Sequence, residues 1–280
     1  MDTKKTLSLL VALAQGAVMS NAVEIIGHRG ASYDAPENTL ASFRLGYQQQ
    51  ADADELDIHL TRDGKIVVIH DFDTGRTGGH ANKVADQTFE AVRRLNVGDW
   101  GKWKGEGFSE KIPTLDEVLA VIPDGRRLFI EIKCGPEVLP ALEQSLLRAA
   151  KKPDQTIIIG FDYDTIRQAK AKFPHLQVLW LAGADSKARA YPAVGELISK
   201  AKAAKLDGLD LEKGFPIDHQ FVHAVHAAGL KLYTWTVDSV ETARSESAAG
   251  VDGITTNRPG WLREQLARIP TRVKQPKAVR

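Results

Sequence analysis

The feature that most constrains the fold of this chain is a regular alternation of short apolar runs with longer amphipathic stretches. The apolar runs of strand length occupy residues 23–27, 53–61, 127–133, 155–161, 177–182, 206–212, 230–237 and 251–255. Three consecutive isoleucines at residues 157–159 suit a strand buried on both faces, as in a parallel sheet. Eight strand–helix units in roughly 250 residues are typical of the α/β class and favour a (β/α)₈ or TIM barrel. A doubly wound open sheet is the alternative, because alternation alone does not require closure.

The amphipathic stretches between the apolar runs predict the helices. They occupy residues 38–50, 114–122, 138–150, 164–173, 192–205, 218–228, 240–249 and 259–269. Gly229 and Gly250 directly follow two of these stretches. Glycine is the residue that most often caps the C-terminus of a helix, so both positions support the predicted helix ends.

Residues 71–112 break the alternation with a segment rich in Gly, Thr, Trp and charged residues. Just before it, residues 65–70 predict an additional strand, which the turn signal Asp63-Gly64 joins to the second strand as a hairpin. A structureless loop of this length is unusual in a compact domain. We therefore predict a small insertion after the second strand, folded over one end of the barrel, with a short helix near residues 88–95.

The first 22 residues have the three parts of a secretory signal peptide. Lys4 and Lys5 precede an uncharged, mostly apolar run at residues 7–19, and small residues surround a possible cleavage point after Ala22. This pattern predicts a signal peptide at 1–22, a catalytic barrel domain at 23–270 and a basic tail at 271–280. The mature protein would then be periplasmic or secreted. The alternative is an ordinary N-terminal helix on a cytoplasmic protein.

Composition excludes several function classes. Lys and Arg number 37 and Asp and Glu number 36, so the net charge of +1 provides no footprint for nucleic acid. The apolar N-terminal run is too short for a stable membrane span. Cys134 is the single cysteine, so no disulfide can form within the chain. We therefore expect a globular protein that acts on a small molecule.

Carboxylates cluster in the predicted strands, where ionisable groups are costly unless they are paired or bind a cation. Glu55 and Asp57 are two residues apart, so both lie on one face of their strand, and Glu131 lies near the end of the next barrel strand. Active residues of such barrels lie at the C-terminal ends of the strands. Three carboxylates meeting there would repel one another unless one hard divalent cation, Mg²⁺ or Ca²⁺, bound them. The set contains no cysteine and no HExxH motif, which argues against zinc.

Basic groups occur at the same predicted end of the barrel. Arg29 and Lys133 suit an anionic substrate such as a phosphate, and His28 and His70 suit a proton donor and acceptor. The simpler alternatives are that Glu55 and Asp57 lie on an edge strand paired with Arg62 or Lys65, and that Lys133 and Glu131 form a structural ion pair.

Eight short motifs in this order resemble the glycerophosphodiester phosphodiesterase family, from residue 23 to about residue 266. The motifs are HRG at 28–30, PENT at 36–39, ExD at 55–57, HD at 70–71, PTLDE at 113–117, EIK at 131–133, YTWTVD at 233–238 and GVDGITTNRP at 250–259. Each motif alone is weak, but their combination in this order is specific.

The resemblance implies a barrel with an insertion after the second strand, one bound Mg²⁺ or Ca²⁺, and a role for each matching residue. The implied metal ligands are Glu55, Asp57 and Glu131; the acid–base pair is His28 and His70; the phosphate contacts are Arg29 and Lys133; the supporting residues are Glu37 and Asn38; and the wall for the glycerol is Trp235.

The expected reaction is metal-dependent hydrolysis of a glycerophosphodiester to sn-glycerol 3-phosphate and an alcohol. The attacking hydroxyl would be water or the substrate's own 2-hydroxyl, with His28 favoured as the base and His70 as the acid, although the sequence allows the exchange. One alternative is a phospholipase D-like phosphodiesterase that cleaves lysophospholipid or sphingomyelin. Another is a non-catalytic protein that binds phosphodiesters.

Overall fold

A computed structural model describes residues 23–184 and 190–268, which form a closed barrel of eight parallel strands with one antiparallel strand added. The barrel strands are β1 (Glu24–Gly27), β2 (Ala53–Leu60), β4 (Arg127–Ile132), β5 (Thr156–Gly160), β6 (Gln177–Ala182), β7 (Gly208–Glu212), β8 (Lys231–Trp235) and β9 (Gly253–Thr256). Pairing of β1 with β2, in which Ile26 lies opposite Ala53, closes the barrel. The predicted TIM barrel is confirmed, and the open-sheet alternative is wrong.

A helix follows every barrel strand before the next one begins. The helices are α1 (Leu40–Gln48), α2 (Gly75–Gly78), α3 (Phe89–Arg93), α4 (Leu115–Val121), α5 (Leu139–Ala149), α6 (Tyr163–Lys172), α7 (Val194–Ala203), α8 (His219–Ala227), α9 (Val240–Ala249) and α10 (Pro259–Ala267). At the start of α4, Thr114 and Glu117 form a capping box. Gly250 caps α9 with φ of 100°, a left-handed conformation that favours glycine.

The segment between β2 and β4 forms the predicted insertion. Strand β3 (Ile66–Val68) pairs antiparallel with β2, and the short helix predicted near residues 88–95 is α3. The insertion contacts the loop between β1 and α1, where the Arg76 guanidinium donates hydrogen bonds to Glu37 and the Lys102 ammonium donates to the carbonyl of Tyr33. The insertion therefore covers the C-terminal end of the barrel, where the parallel strands end.

The predicted signal peptide at 1–22 and the basic tail at 271–280 lie outside the described residues. Export to the periplasm or the medium therefore stays a prediction. Within 23–184 and 190–268, none of the helices combines the length and the apolarity that a membrane span requires.

Alternation along β2 decides which side chains face the barrel axis. Ala53 packs in the inner apolar cluster with residues of the other strands, whereas Leu56 and Ile58 pack outward against the helices. Glu55 and Asp57 share the inward face with Ala53 and lie further along the strand. At the opposite end, Arg127 pairs with Glu24 at 2.5 Å. Both ends of the barrel interior thus carry polar groups, and Glu55 and Asp57 lie at the C-terminal end.

Asp54 is an unusual residue in the outward layer of β2. It is fully buried, and neither of its carboxylate oxygens has a hydrogen-bond partner among the described residues. A Cβ on Gly27 or on Gly46 would lie 2.3 Å or 2.2 Å from its Oδ1, so two glycines make the space that it fills. Burial raises the pKa of this carboxyl well above its ordinary value.

We expect Asp54→Val to stabilise the protein. A buried polar group without a hydrogen bond destabilises the folded state by about 1–3 kcal/mol. Because the change removes this group, the free energy of unfolding should rise by about that amount. Urea denaturation followed by circular dichroism measures it. Asp52→Val is the matched control: Asp52 accepts from the backbone N–H of Ile25 and pairs with Arg263, so its loss should destabilise. Destabilisation by both changes would contradict the prediction.

Candidate active site

Three buried carboxylates meet where β2 and β4 end. Asp57 lies opposite Glu131 in the register of the two strands, and Glu55 lies one inward position earlier. One oxygen of each of the three side chains lies within 4.8 Å of the others. The predicted cluster is therefore present, and the alternative that Glu55 and Asp57 lie exposed on an edge strand is wrong.

Burial and neighbouring charges perturb the protonation of these carboxylates. Burial, followed by the charge of Asp57, raises the pKa of Glu131 to about 7 and that of Glu55 well above its ordinary value. Burial acts in the same direction on Asp57, but Arg29 and Lys133 outweigh it and lower the pKa of Asp57 to about 2. The site therefore holds more acidic side chains than its own cations neutralise.

The donors around the cluster leave particular oxygens free. The backbone N–H of Arg29 donates to Glu55 Oε2 at 2.9 Å, and the Asn38 amide donates to Asp57 Oδ2 at 2.8 Å. Glu55 Oε1 and Asp57 Oδ1 are buried and have no hydrogen-bond partner among the described residues. A cation would satisfy these oxygens. The donor set consists of carboxylates alone, which suits Mg²⁺ or Ca²⁺ better than zinc.

Two basic side chains flank Asp57 at the rim of this cluster. Arg29 Nε lies 3.3 Å from Asp57 Oδ2, and Lys133 Nζ lies 3.6 Å from Asp57 Oδ1. Lys133 also pairs with Glu131 at 2.7 Å, so the ion pair considered as a purely structural alternative does exist, but within the site. Both cations lie where they can contact an anion bound beside the carboxylates.

The loop between β1 and α1 has a backbone conformation that places Arg29 and Asn38. Both residues have left-handed φ angles, 54° and 56°, which cost non-glycine residues about 1–3 kcal/mol. The backbone N–H of Asn38 donates to the carbonyl of Arg29 at 3.1 Å, which folds the loop back on itself. The loop thereby brings one backbone donor and two side chains to the carboxylates.

His28 is held by a chain of hydrogen bonds that determines which ring nitrogen carries the proton. The Asn257 amide nitrogen lies 2.5 Å from Asp238 Oδ2 and donates to it. Asn257 Oδ1 therefore faces His28 and accepts from Nδ1–H at 2.7 Å, which leaves the lone pair on Nε2. Burial, and then the charge of Arg29, lower the pKa of His28 to about 4. A neutral ring at pH 7 with a free Nε2 lone pair is suited to act as a base.

His70 has a carboxylate partner in place of an amide. Its Nδ1 lies 2.7 Å from Asp71 Oδ1, an oxygen that can only accept, so Nδ1 carries a proton. Asp71 also accepts from the Arg76 guanidinium, which fixes its carboxylate beside the ring. The backbone carbonyl of His70 contacts His59 Nε2 at 3.2 Å, so His59 supports the position of His70, consistent with a hydrogen-bonded structural histidine.

Arg76 was not singled out from the sequence, and it joins the insertion to the site. Its guanidinium donates to Glu37 at 2.8 and 2.9 Å and to Asp71 at 2.7 and 3.0 Å. Glu37 also accepts from Arg29 at 2.9 Å. Glu37 is therefore neutralised by two arginines and holds Arg29 in place, which agrees with the supporting role expected for it.

A cavity of about 110 Å³ lies in the barrel mouth above the inner apolar cluster. Seven of the predicted site residues line it, namely His28, Arg29, Glu55, His70, Glu131, Lys133 and Trp235. Asp57, Glu37 and Asn38 are not part of its lining and act through contacts with residues that are. The structure therefore brings most of the predicted site residues together at the C-terminal end of the barrel.

Asp210 lines the same cavity and was missed. It is 2% exposed, and its Oδ1 has no hydrogen-bond partner among the described residues. Its signal in the sequence is a lone charge in the middle of a buried strand, between Leu209 and Leu211. Asn257 and Asp238 were missed as site residues too, although they lie in motifs that the resemblance quoted.

We expect Asn257→Ala to lower kcat about tenfold to a hundredfold, the usual range for a residue that orients a functional histidine. The change removes the acceptor for His28 Nδ1–H, so the ring can rotate or adopt the other tautomer. Steady-state kinetics should show the loss in kcat with KM little changed. Ser32→Ala is the control, because Ser32 donates to the same oxygen at 2.8 Å without contacting the ring. Equal losses in both variants would contradict the positioning role.

Comparisons with known proteins agree with this geometry. Residues 28–261 match the model of the glycerophosphoryl diester phosphodiesterase family. The chain is 36% identical over 244 residues to the glycerophosphodiester phosphodiesterase of Caldanaerobacter subterraneus subsp. tengcongensis, over 85% of this chain and 95% of that protein. It is 29% identical over 264 residues to a Bacillus subtilis (strain 168) glycerophosphodiester phosphodiesterase, over 89% of this chain and 88% of that protein.

Two solved structures share the fold. One is a phosphodiesterase from Oleispira antarctica in complex with the product sn-glycerol-3-phosphate, with a TM-score of 0.78 and 28% identity over 88% of this chain and 98% of that chain. The other is a glycerophosphodiester phosphodiesterase from Thermotoga maritima, with a TM-score of 0.70 and 26% identity over 87% of this chain and 98% of that chain.

Proposed function

We propose a mechanism from the premise that this chain belongs to the glycerophosphoryl diester phosphodiesterase family and is a phosphoric diester hydrolase. It hydrolyses a glycerophosphodiester to sn-glycerol 3-phosphate and an alcohol. The single observation that carries the proposal is the cavity that two differently held histidines line together with Glu55 and Glu131 of the buried carboxylate cluster. The Oleispira antarctica relative, whose structure holds sn-glycerol-3-phosphate, supports the same product here.

Glu55, Asp57 and Glu131 would hold one divalent cation, Mg²⁺ or Ca²⁺. The buried oxygens without partners, Glu55 Oε1 and Asp57 Oδ1, support this assignment. When bound, the cation would neutralise phosphate oxygens and lower the pKa of the attacking hydroxyl, which contributes several kcal/mol. Arg29 and Lys133 would bind the remaining phosphate oxygens, since both reach the cavity from either side of Asp57.

His28 would act as the general base. Its Nε2 takes the proton of the attacking hydroxyl as a new P–O bond forms. Attack by water gives sn-glycerol 3-phosphate directly, whereas attack by the glycerol 2-hydroxyl gives a cyclic phosphate that water then hydrolyses. His70 would act as the general acid and give a proton to the leaving alkoxide as the old P–O bond breaks. The different partners of the two rings, an amide for His28 and a carboxylate for His70, support this assignment over its exchange.

The glycerol of the substrate would lie in the inner cavity. Trp235 forms one wall and packs edge-to-face on Phe161 with ring centroids 5.4 Å apart. Asp210 at the same cavity would accept a hydrogen bond from a glycerol hydroxyl, which would satisfy its Oδ1. An apolar ring for the carbon atoms and a buried acceptor for a hydroxyl match the amphipathic character of glycerol.

Protons and the cation should compete for the carboxylates. The pKa of Glu131 is about 7 in the folded, cation-free protein against an ordinary 4.5. Protonation of Glu131 therefore makes its whole contribution to the stability of the cation-free protein below about pH 4.5. This stabilisation is lost as the pH rises through about 7. We therefore fix the concentration of Ca²⁺ or Mg²⁺ at about 100 times the Kd measured at pH 8. At pH 8 this concentration should raise the Tm by about 5–10 °C. The rise should be smaller at pH 5, and an equal rise at both pH values would contradict competition.

The test of the function is release of sn-glycerol 3-phosphate from glycerophosphodiesters by purified protein with Mg²⁺ or Ca²⁺. Metal-dependent release is expected. A lysophospholipid and sphingomyelin serve as parallel substrates for the phospholipase D-like alternative. Cleavage of either lipid without release from any water-soluble glycerophosphodiester would overturn the proposal in favour of that alternative.

A further inference from the structure

A second cavity adjoins the first and shares His28 and Arg29 with it. This outer cleft has a volume of about 340 Å³, about three times that of the inner cavity, and lies between the β1–α1 loop and the insertion. Its lining consists of His28, Arg29, Ser32, Tyr33, Glu37, Trp100, Lys102, Trp103 and Asn257. Because the two cavities meet at the proposed base and a phosphate contact, a phosphodiester bound there would place one alcohol in each.

Three aromatic side chains line the outer cleft, which at first suggests a cage for a quaternary ammonium group such as choline. The rings are already in contact with the protein's own cations, however. Lys102 Nζ lies 4.3 Å from the ring centroid of Tyr33 and 4.4 Å from that of Trp103. The guanidinium of Arg76 lies 4.9 Å from the ring centroid of Trp100. A cationic alcohol would have to displace these groups from the rings.

The charge of the outer cleft also disfavours a cationic alcohol. Glu37 is the only acidic side chain in its lining within the described part of the chain, and Arg29 and Arg76 both pair with it. Arg258 adds a further positive charge 4.2 Å from the ring centroid of Tyr33. The cleft is thus basic. Its polar groups can donate hydrogen bonds, and Lys102 is its exposed cation.

We propose that the outer cleft binds the leaving alcohol and selects uncharged polyols, such as glycerol or inositol, over choline and ethanolamine. This inference rests on the proposed function and names the substrate class of that same site. Hydroxyl groups can accept from Lys102 and donate to the Ser32 hydroxyl oxygen, whose own hydrogen is given to Asn257. A fixed positive charge instead meets repulsion, and the described lining offers it no free carboxylate. Lys102 is the residue that decides the preference.

The experiment is a competition between two substrates in one sample. Glycerophosphoinositol and glycerophosphocholine are mixed, release of inositol and of choline is followed, and the ratio of the two kcat/KM values is determined. For the wild type we expect a ratio of about five to ten in favour of inositol, as one close, partly solvated like charge would give. Lys102→Met keeps an apolar chain on the rings but removes the charge, and should bring the ratio near one. Lys102→Glu should favour choline.

Lys104→Met and Lys104→Glu are the matched controls, because Lys104 lies in the same insertion, is exposed and does not line the cleft. Their ratios should equal the wild-type ratio. Because each ratio comes from a single sample, partial unfolding of a variant changes both rates equally and leaves the ratio intact.

Two outcomes would overturn the inference while leaving the proposed function in place. They are a wild-type ratio of one or below, and a ratio that Lys102→Met leaves unchanged. Release from neither substrate by folded, metal-loaded wild type would instead contradict the proposed function, and the inference would fall with it.

Discussion

Replacing His28 or His70 with alanine is expected to lower kcat by about 10²–10⁴, the range that a general acid or base contributes. Each ring lines the inner cavity and has a partner that holds its Nδ1 proton, so each presents Nε2 for proton transfer. Release of sn-glycerol 3-phosphate measures the loss. His223→Ala is the control, since His223 is exposed on α8 and should retain full activity.

The two roles can be separated with a substrate whose leaving group needs no proton. Cleavage of glycerophospho-p-nitrophenol releases p-nitrophenolate, a stable leaving group that needs no proton, so the general acid contributes little to this hydrolysis. If His70 is the acid, His70→Ala should lose far less activity on this substrate than on glycerophosphoglycerol, whereas His28→Ala should lose the same on both. The reverse pattern would exchange the two roles, and equal losses for both variants on both substrates would contradict the assignment of a separate acid and base.

Removal of the proposed divalent cation is expected to reduce turnover at least about 100-fold, because a catalytic metal ion at such a site would contribute several kcal/mol. Treatment with EDTA followed by gel filtration should give folded, inactive protein, and Mg²⁺ or Ca²⁺ should restore activity. Glu55→Gln removes one charge from the cluster and should weaken cation binding measured by calorimetry. It should also stabilise the cation-free protein at pH 8, since it removes a buried negative charge whose Oε1 has no hydrogen-bond partner among the described residues.

Glu246→Gln is the matched control for the metal site. Glu246 is also a buried glutamate, but it accepts from the Thr234 hydroxyl at 2.7 Å on the outer side of the barrel. This variant should bind the cation with unchanged affinity. If Glu55→Gln bound the cation as tightly as the control does, Glu55 would not be a ligand.

Local signals in the sequence were sufficient for the secondary-structure elements and for naming most of the residues that the structure gathers at the candidate site. Gln177–Ala182 and Val240–Ala249 have the predicted bounds, because apolar runs and amphipathic periods act over neighbouring residues. The placement of Glu55, Asp57 and Glu131 followed from strand alternation once the barrel was assumed. Closure itself required a pairing between Ile26 and Ala53, which no local pattern specifies.

Contacts between loops that are far apart in the chain could not be predicted from the sequence. Arg76 and Glu37 are 39 residues apart in the sequence, and His28 and Asn257 are 229 residues apart. Only the folded chain shows that each pair is joined by a hydrogen bond. The same holds for Trp100 and Trp103, which the folded insertion places in the lining of the outer cleft beside His28.

The sequence by itself determined the α/β alternation, the order of the motifs and the residue types for acid–base and metal chemistry. These depend on periodicity and on side-chain chemistry, which are properties of short segments. Only the tertiary structure decided the tautomer of His28, the buried acceptor at Asp210 and the basic outer cleft around Lys102. Each of these depends on distances across the barrel mouth, and those distances exist only after the sheet closes and the insertion packs over its end.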